Sequence, residues 1–515
     1  MAQTIFLTGA TGLLGRYLLR DLLASGHRVG VLVRDGQQRM ASDRLEELLA
    51  FGSETLGRKL PKPVLLHGDL IAPRLGLGVA EWNWLARQAE AVIHSAAQVL
   101  YRPTPDGEPW ETNVNGTRRL LEVCRSLGIN EIHHLSTAFL CGDRSGIVYE
   151  NELDCGGGSN NAYEQSKFAG EQMLREFDGI RATIYRPSVI VGDSRTGYTS
   201  TYHHFYRFLE LAVRLSSRPA SPPDTSKLGR QRLPLRLPLT GEETQNLVPV
   251  DWVSHAILSL LRRPQWHGRT YHLVARQPVR LREIKGIIED LLCIEGIQWV
   301  GRDGLADPTL LEQLVLEQFQ DYWSYLQSDL VFDCRNTRQA LPDLPPPLFD
   351  RELVIRLLHF AQQDNWGRGR ARDQVASERS CAGASNDLAH YLERVLPEQV
   401  HQSPVAHALP RGLRFAIDLN GPGGGQWTCY CGDRSIRVQR GRDLGAALTY
   451  RMDAPTFEEL VHGRQTARKA FFDGRIEIEG NKEKALMLAI LIEQFLGERP
   501  DRPAEMEASH AGVEC

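Results

Sequence analysis

The segment IFLTGATGLLGRYLLRDLLA, residues 5–24, places the tightest limit on the fold. TIFLTG reads as a buried strand ending in a glycine turn, and LLGRYLLRDLLASG has helical periodicity that stops at Gly26. Between them lie Gly9, Gly12 and Gly15 at three-residue spacing. Strand, glycine turn and helix in that order suit a nucleotide. Gly9 takes the tight turn, Gly12 has no Cβ to block a pyrophosphate, and Gly15 lets the helix pack on the sheet. The helix N-terminus then offers free N–H groups and a positive dipole end to phosphates. Other readings of an apolar N-terminus fail. MAQT carries no basic side chain, and Arg16, Arg20 and Asp21 interrupt the run, so it is not a secretory signal. No window of about twenty apolar residues predicts a transmembrane helix. Peripheral membrane contact stays open on this reading.

The alternation continues over the first 190 residues. Strands RVGVLVR, PVLLHGDL, AVIHSAA, EIHHLST and RATIYRPSVIVG are separated by helical patterns near 43–51, 80–88, 112–128 and 163–177. Such alternation predicts right-handed βαβ crossovers and a doubly wound parallel sheet, a Rossmann-type α/β domain. From about 195 to 245 the pattern loosens into a stretch rich in Pro, Ser and charge. It reads as the cover of a substrate pocket, because regular pattern resumes in NLVPVDWVSHAILSLLRR and TYHLV. The expected division is a first domain over 1–362, with a substrate subdomain at about 195–245 and 275–362. A polar linker follows at 363–386, then a second, α+β domain over 387–497, and a disordered tail at 498–515.

The formal net charge of −4 gives no basic excess for a nucleic-acid partner. Nine cysteines show no zinc-site spacing, and neither His133–His134 nor His203–His204 is a metal motif, so no metal is expected. Cys429 and Cys431, in CYC, would share one face of a strand. Reduced thiols suit a cytoplasmic protein.

The second strand ends in VLVRD. An acidic residue there holds a ribose 2′-hydroxyl, whereas an arginine pairs with a 2′-phosphate. Arg34 precedes Asp35, which favours NADP over NAD. Arg39 or Arg44 is a second phosphate contact, at least one of them belonging instead to a solvated helix face. YEQSK places Tyr163 and Lys167 on one helix face. A phenol titrates near pH 10, and a neighbouring ammonium, with the nicotinamide charge nearby, is expected to draw it toward neutrality. Tyr163 then protonates a carbonyl oxygen as hydride arrives at carbon. LSTAFLCG supplies Thr137 or Ser136 as a hydrogen-bond partner for the same oxygen.

With TGATGLLG, GDL (68–70), HSAA (94–97), NVNGT (113–117), LST (135–137), YEQSK, YRPSVIVGDSRTG and NLVPVDWV, the chain resembles the extended short-chain dehydrogenase/reductases over residues 4 to about 362. The resemblance implies a catalytic triad of Thr137, Tyr163 and Lys167. The spacing of five back from Gly142 favours Thr137 over Ser136. It also implies cofactor contacts at Gly9, Thr11, Gly12, Leu13, Leu14, Gly15, Arg34, Asp69, Leu70, Ala96, Ala97, Lys167 and Pro187, with Asp69 near the adenine and Lys167 on the nicotinamide ribose. RPSVIVGDSRTG and NLVPVDWV look most like the thioester-reductase and fatty-acyl-CoA-reductase branch, which reduces CoA- or carrier-bound acyl thioesters with NADPH.

Residues 387–497, with AFFDGRIEIEGN and a closing apolar helix, resemble the sterol-carrier-protein-2 domain, which holds a lipid between sheet and helices. ALMLAILIEQFL is apolar nearly all round, so it is buried or faces a lipid, with Met487 and Leu488 lining a tunnel or packing a core. The leading expectation is an NADPH-dependent reductase of a long-chain acyl thioester, bound to CoA or an acyl carrier protein, with a fused lipid domain. The alternatives are an NAD(P)-dependent dehydrogenase of a sterol-like 3-hydroxy lipid, and a lipid-transfer protein with a redox-sensing nucleotide domain.

Overall fold

The computed structural model describes residues 2–36, 39–154, 156, 158–216, 229–368, 387–480 and 482–497. Most of the expected linker, part of the Pro-rich stretch and the whole expected tail lie outside the described residues. The described residues fall into two compact units. One is bounded as Met1–Leu209, Leu239–Leu291 and Gln320–Ser377, the other as Glu210–Pro238, Leu292–Phe319 and Glu378–Cys515. Segments 210–238 and 292–319, which the sequence assigns to the first domain, thus group with the C-terminal residues.

The first unit holds a seven-stranded sheet: β1 (Thr4–Thr8), β2 (Arg28–Val33), β3 (Val64–His67), β4 (Ala91–His94), β5 (Glu131–Leu135), β6 (Arg181–Pro187) and β7 (Thr270–Leu273). Its order is β7-β6-β5-β4-β1-β2-β3 and every pairing is parallel. The helices that position the site are α1 (Leu13–Ala24), α2 (Ala41–Leu56), α3 (Val79–Gln88), α4 (Thr117–Leu127), α5 (Ala162–Glu176) and α6 (Val250–Leu261). Two-residue alternation in β1 sends its side chains to opposite faces. Ile5 and Leu7 join Leu18, Leu22, Val253 and Ile257 of α1 and α6. Phe6 joins Leu85, Leu120 and Leu174 of α3, α4 and α5. Both faces are therefore covered, which is why the strands read as unbroken apolar runs.

Two local features depart from the sequence reading. RATIYRPSVIVG is two strands, because after Pro187 the chain leaves the sheet and Val189–Val191 pairs with Leu247–Pro249 instead. The Pro-rich stretch contains a strand, Gln231–Leu237, which pairs with Ile294–Trp299 in the second unit.

The second unit carries a five-stranded sheet of β8 (Arg414–Asn420), β9 (Gly425–Cys431), β10 (Ile436–Arg440), β11 (Leu448–Asp453) and β12 (Glu477–Gly480). The order is β10-β9-β8-β11-β12, and only β8–β11 is parallel. It packs with α7 (Ala454–Val461), α8 (Ala467–Phe472) and α9 (Lys482–Gly497). Asp453 caps α7 by accepting from Thr456 N, and Thr466 caps α8 by accepting from Lys469 N. Cys429 and Cys431 do share the buried face of β9, both as free thiols. Among the described residues no helix is long and apolar enough to cross a membrane.

Candidate active site

The order of the large sheet reverses between β1 and β4, and ligands of such sheets sit outside the strand ends at that point. Gly9 follows β1 with φ +75°, and a Cβ there would stand 2.4 Å from Ala96 N. The glycine turn is thus pressed onto the backbone that leaves β4. A Cβ on Gly15 would lie 2.0 Å from Gly9 O, so α1 also needs glycine to seat against the turn. Gly12 differs: a Cβ there would meet only Gly9 O, at 3.5 Å. Its free side faces a cleft of about 890 Å³, open to solvent. Gly12 is the N-cap of α1 and no side chain caps that end. By helix geometry the N–H groups of Leu13, Leu14 and Gly15 have no intrahelical acceptor. This is the arrangement a pyrophosphate completes.

Gly9, Thr11, Gly12, Arg34, Asp69, Leu70, Ala96 and Ala97 all line the cleft, whereas Leu13, Leu14, Gly15, Lys167 and Pro187 do not. Leu14 packs its side chain on the core, and the buried Pro187 offers its carbonyl to Ala138 N at 2.9 Å. Thr8, Gln98 and Thr112 also line it, and no sequence signal singled them out. Thr8 Oγ1 lies 2.8 Å from His94 Nδ1, closing the base of the cleft.

At the far end Arg34 Nη1 donates to Asp69 Oδ2 at 3.3 Å, and Arg44 Nη1 donates to Arg34 O at 2.7 Å. Arg44 lines the cleft with Arg34; Arg39 turns to Glu47 on α2 at 2.9 Å. Burial, then the charge of Arg34, holds the Arg44 guanidinium below its usual pKa. Asp35 is committed elsewhere. One carboxylate oxygen accepts from Ala41 N at 2.8 Å and the other faces His67 Nε2 at 3.0 Å. The Ala41 hydrogen bond is the main reason its carboxyl titrates below the usual range.

Lys167 is buried, and its ammonium donates to Leu135 O, the last carbonyl of β5. Thr137 stands two residues beyond, its Oγ1 accepting from Phe139 N at 3.2 Å. Tyr163 precedes Lys167 by one turn of α5, and Lys167 is anchored at the C-terminal end of β5, two residues before Thr137. Burial draws the Lys167 ammonium down to about 8, against the opposing charge of Glu171. The lowering of Tyr163 expected from Lys167 together with the nicotinamide charge is not produced by the protein groups alone. Burial, then the Glu164 carboxylate, raises the phenol above its ordinary value.

The start of α5 is held by residues no motif announced. Asn161 Oδ1 caps the helix through Glu164 N at 3.0 Å, and its Nδ2 donates to Tyr325 Oη at 2.7 Å. Ala162 N donates to Tyr101 O at 3.1 Å. Tyr101, Tyr322, Tyr325 and Phe139 pack ring against ring in edge-to-face or tilted pairs, with centroids 5.3–5.9 Å apart. Asn113, within a π-helical turn, bonds the backbone of Gln98 with both amide atoms and reaches Ser166 Oγ of α5 at 2.8 Å. It joins the rim of the cofactor cleft to the helix bearing Tyr163.

In the second unit an apolar cavity lies between sheet and helices. Phe415, Met452, Phe457, Phe471, Leu486 and Leu488 are among its lining residues. Leu488 therefore faces the cavity, while Met487 is 41% exposed and does not.

Residues 7–257 match the family model described as "Male sterility protein", an NAD-binding domain, and residues 402–493 match the SCP-2 sterol transfer family. The chain is 30% identical to the L-2-aminoadipate reductase large subunit of Penicillium chrysogenum, over 56% of this chain and 20% of that protein. It is 28% identical to the aldehyde reductase lnaA of Aspergillus flavus, over 70% of this chain and 36% of that one. It thus spans about a third or less of the length of these curated relatives. Among solved structures, the terminal R domain from the myxalamid PKS-NRPS pathway is 28% identical, with a TM-score of 0.56 over 71% of this chain and 92% of that one.

Proposed function

Residues 7–257 belong to the extended short-chain dehydrogenase/reductases of the thioester-reductase kind and residues 402–493 to the SCP-2 family, and from this we propose that the chain reduces a lipid acyl thioester to an aldehyde with NADPH. The observation that carries the reading is the seating of Lys167 on the last carbonyl of β5, two residues before Thr137 and one turn from Tyr163, on the same C-terminal side of the parallel sheet as the nucleotide cleft. NADPH supplies the hydride. Gly12 and the first turn of α1 bind the pyrophosphate, and Lys167 holds the nicotinamide ribose. Thr137 and Tyr163 hydrogen-bond the thioester oxygen, and Tyr163 gives it a proton as carbon is reduced. The hemithioacetal so formed collapses to aldehyde and thiol. The phenol is protonated at neutral pH, the form that donates.

The acyl part of the substrate is read as long-chain. The lining of the second-unit cavity is aliphatic and aromatic, and such a site takes an apolar chain with little polar recognition. A thiol carrier, either CoA or an acyl carrier protein, presents the thioester. The buried free thiols suit a reducing compartment such as the cytoplasm. NADPH oxidation with long-chain acyl-CoA and acyl-carrier thioesters should yield aldehyde. Absence of aldehyde, with NAD(P)⁺-dependent oxidation of a 3-hydroxy polycyclic lipid instead, would select the dehydrogenase reading.

Cofactor choice rests on Arg34 and Arg44, two cations at one end of the cleft where the only other charged lining group is Asp69. A 2′-phosphate offers each a charge-assisted hydrogen bond. Replacing both by Ala should cut kcat/KM for NADPH about 100-fold, as expected for two such bonds. The NADH value should change by less than about threefold. Equal losses with both cofactors would remove the arginines from 2′-phosphate recognition.

A further inference from the structure

At the opposite end of β5 from the catalytic residues, three donors converge. Glu131 opens the strand and His133, two residues on, shares its face. His267 arrives from the turn before β7. Glu131 Oε1, His133 Nε2 and His267 Nδ1 all lie within 4.8 Å of one another. The His133 side chain is fully buried, that of His267 is 1% exposed, and that of Glu131 is 23% exposed.

The hydrogen-bond inventory leaves one lone pair over. His267 Nε2 lies 3.0 Å from Leu260 O, a pure acceptor, so that nitrogen carries the ring's proton. In the neutral ring Nδ1 is then a bare lone pair, and it points at the Glu131 carboxylate. The two groups are in direct contact, and a bare lone pair cannot donate to that carboxylate. His133 stands beside it, with Nδ1 2.8 Å from Tyr185 Oη, a hydroxyl that can donate or accept, and Nε2 3.2 Å from the same Glu131 oxygen. Three potential ligand atoms thus face one small volume. Either a second proton or a metal ion must lie between His267 Nδ1 and the carboxylate. The outer nitrogen of each ring is held by a protein oxygen, which is the support that orients histidine ligands.

We propose that Glu131, His133 and His267 bind one divalent transition-metal ion, zinc by donor chemistry. Two imidazoles and a carboxylate suit zinc, and its tetrahedral preference needs a fourth ligand. The exposed side of Glu131 admits water to that position. Four residue steps along β5 put the ion roughly 13 Å from the Lys167 end. The ion therefore clamps the start of β5 to the turn before β7 and takes no part in hydride transfer. Sequence spacing could not reveal the set, since His267 lies over 130 residues from its partners.

The test uses the full chain without a histidine tag, stripped with a chelator. Cobalt(II) titration should give the visible absorption of a four-coordinate site at one ion per chain, displaced by zinc. Glu131→Gln and His267→Gln should each weaken zinc binding by more than about 100-fold, beyond the range outer-sphere changes produce. The cobalt measurement needs no variant and stands even if a substitution impairs folding. A wild-type chain that binds neither ion in the micromolar range would overturn the proposal and leave a protonated His267–Glu131 pair.

Discussion

Tyr163→Phe should lower kcat/KM for thioester reduction by about 10²–10⁴-fold, the range that general acid catalysis commands. That is about 3–5 kcal/mol of transition-state stabilisation. The substitution removes one oxygen and leaves the ring, so α5 and its cap at Asn161 keep their contacts. NADPH affinity should hold within about threefold, because no phosphate-binding group changes. Lipid uptake by the C-terminal cavity should also be unchanged. A variant that kept more than a tenth of the activity would move the proton donor to another group. A variant fully competent in the biological role, yet dead in reduction, would favour the lipid-transfer reading.

The parts of the molecule that local chemistry determines were readable in the chain. TGATGLLG carried its own turn, close approach and helix start, so the glycine positions, the parallel sheet and the order of its elements followed from short-range pattern. The three-residue roles of Gly9, Gly12 and Gly15 reappear as distances to backbone atoms. Two kinds of feature were not legible. Strand Gln231–Leu237 contains Pro234 and alternates Leu233 and Leu235 with Arg232 and Arg236, which reads as loop when its partner at Ile294–Trp299 is unknown. The aromatic group of Tyr101, Phe139, Tyr322 and Tyr325 is assembled from three distant segments, each unremarkable alone. The burial of Tyr163 was not legible either: among the protein groups burial, a property of the whole fold, decides the direction of its shift.

Arg186→Met should destabilise the protein by about 3 kcal/mol at pH 7, the low end of the cost of stranding a buried charge. The reason lies one turn beyond Lys167. Glu171 is fully buried on α5, and Arg186 of β6 reaches it with two hydrogen bonds, Nε to Oε2 at 3.0 Å and Nη2 to Oε1 at 2.6 Å. This fork ties the helix that carries Tyr163 and Lys167 to the sheet. Arg175 also donates to Glu171, from a side chain 30% exposed, so the variant retains a weaker partner. Burial pushes the Glu171 carboxyl up, but the charge and hydrogen bonds of Arg186, aided by Arg175, leave it below its usual value. The sign follows by linkage. A carboxyl depressed in the folded state contributes stability above its unfolded pKa of about 4.3, and the contribution is lost as pH falls through the folded value. Without Arg186 the carboxyl rises and accepts a proton sooner. The gap between variant and wild type, followed by urea denaturation, should therefore narrow as pH falls from 7 to about 4.5. Glu171→Leu combined with Arg186→Met should recover most of the stability, because no buried charge is then left alone. If the double variant were as unstable as the sum of the singles, the fork would contribute only packing. Reduced kcat in the refolded double variant would then report how far α5 relies on that fork to hold Tyr163 and Lys167 at the strand ends.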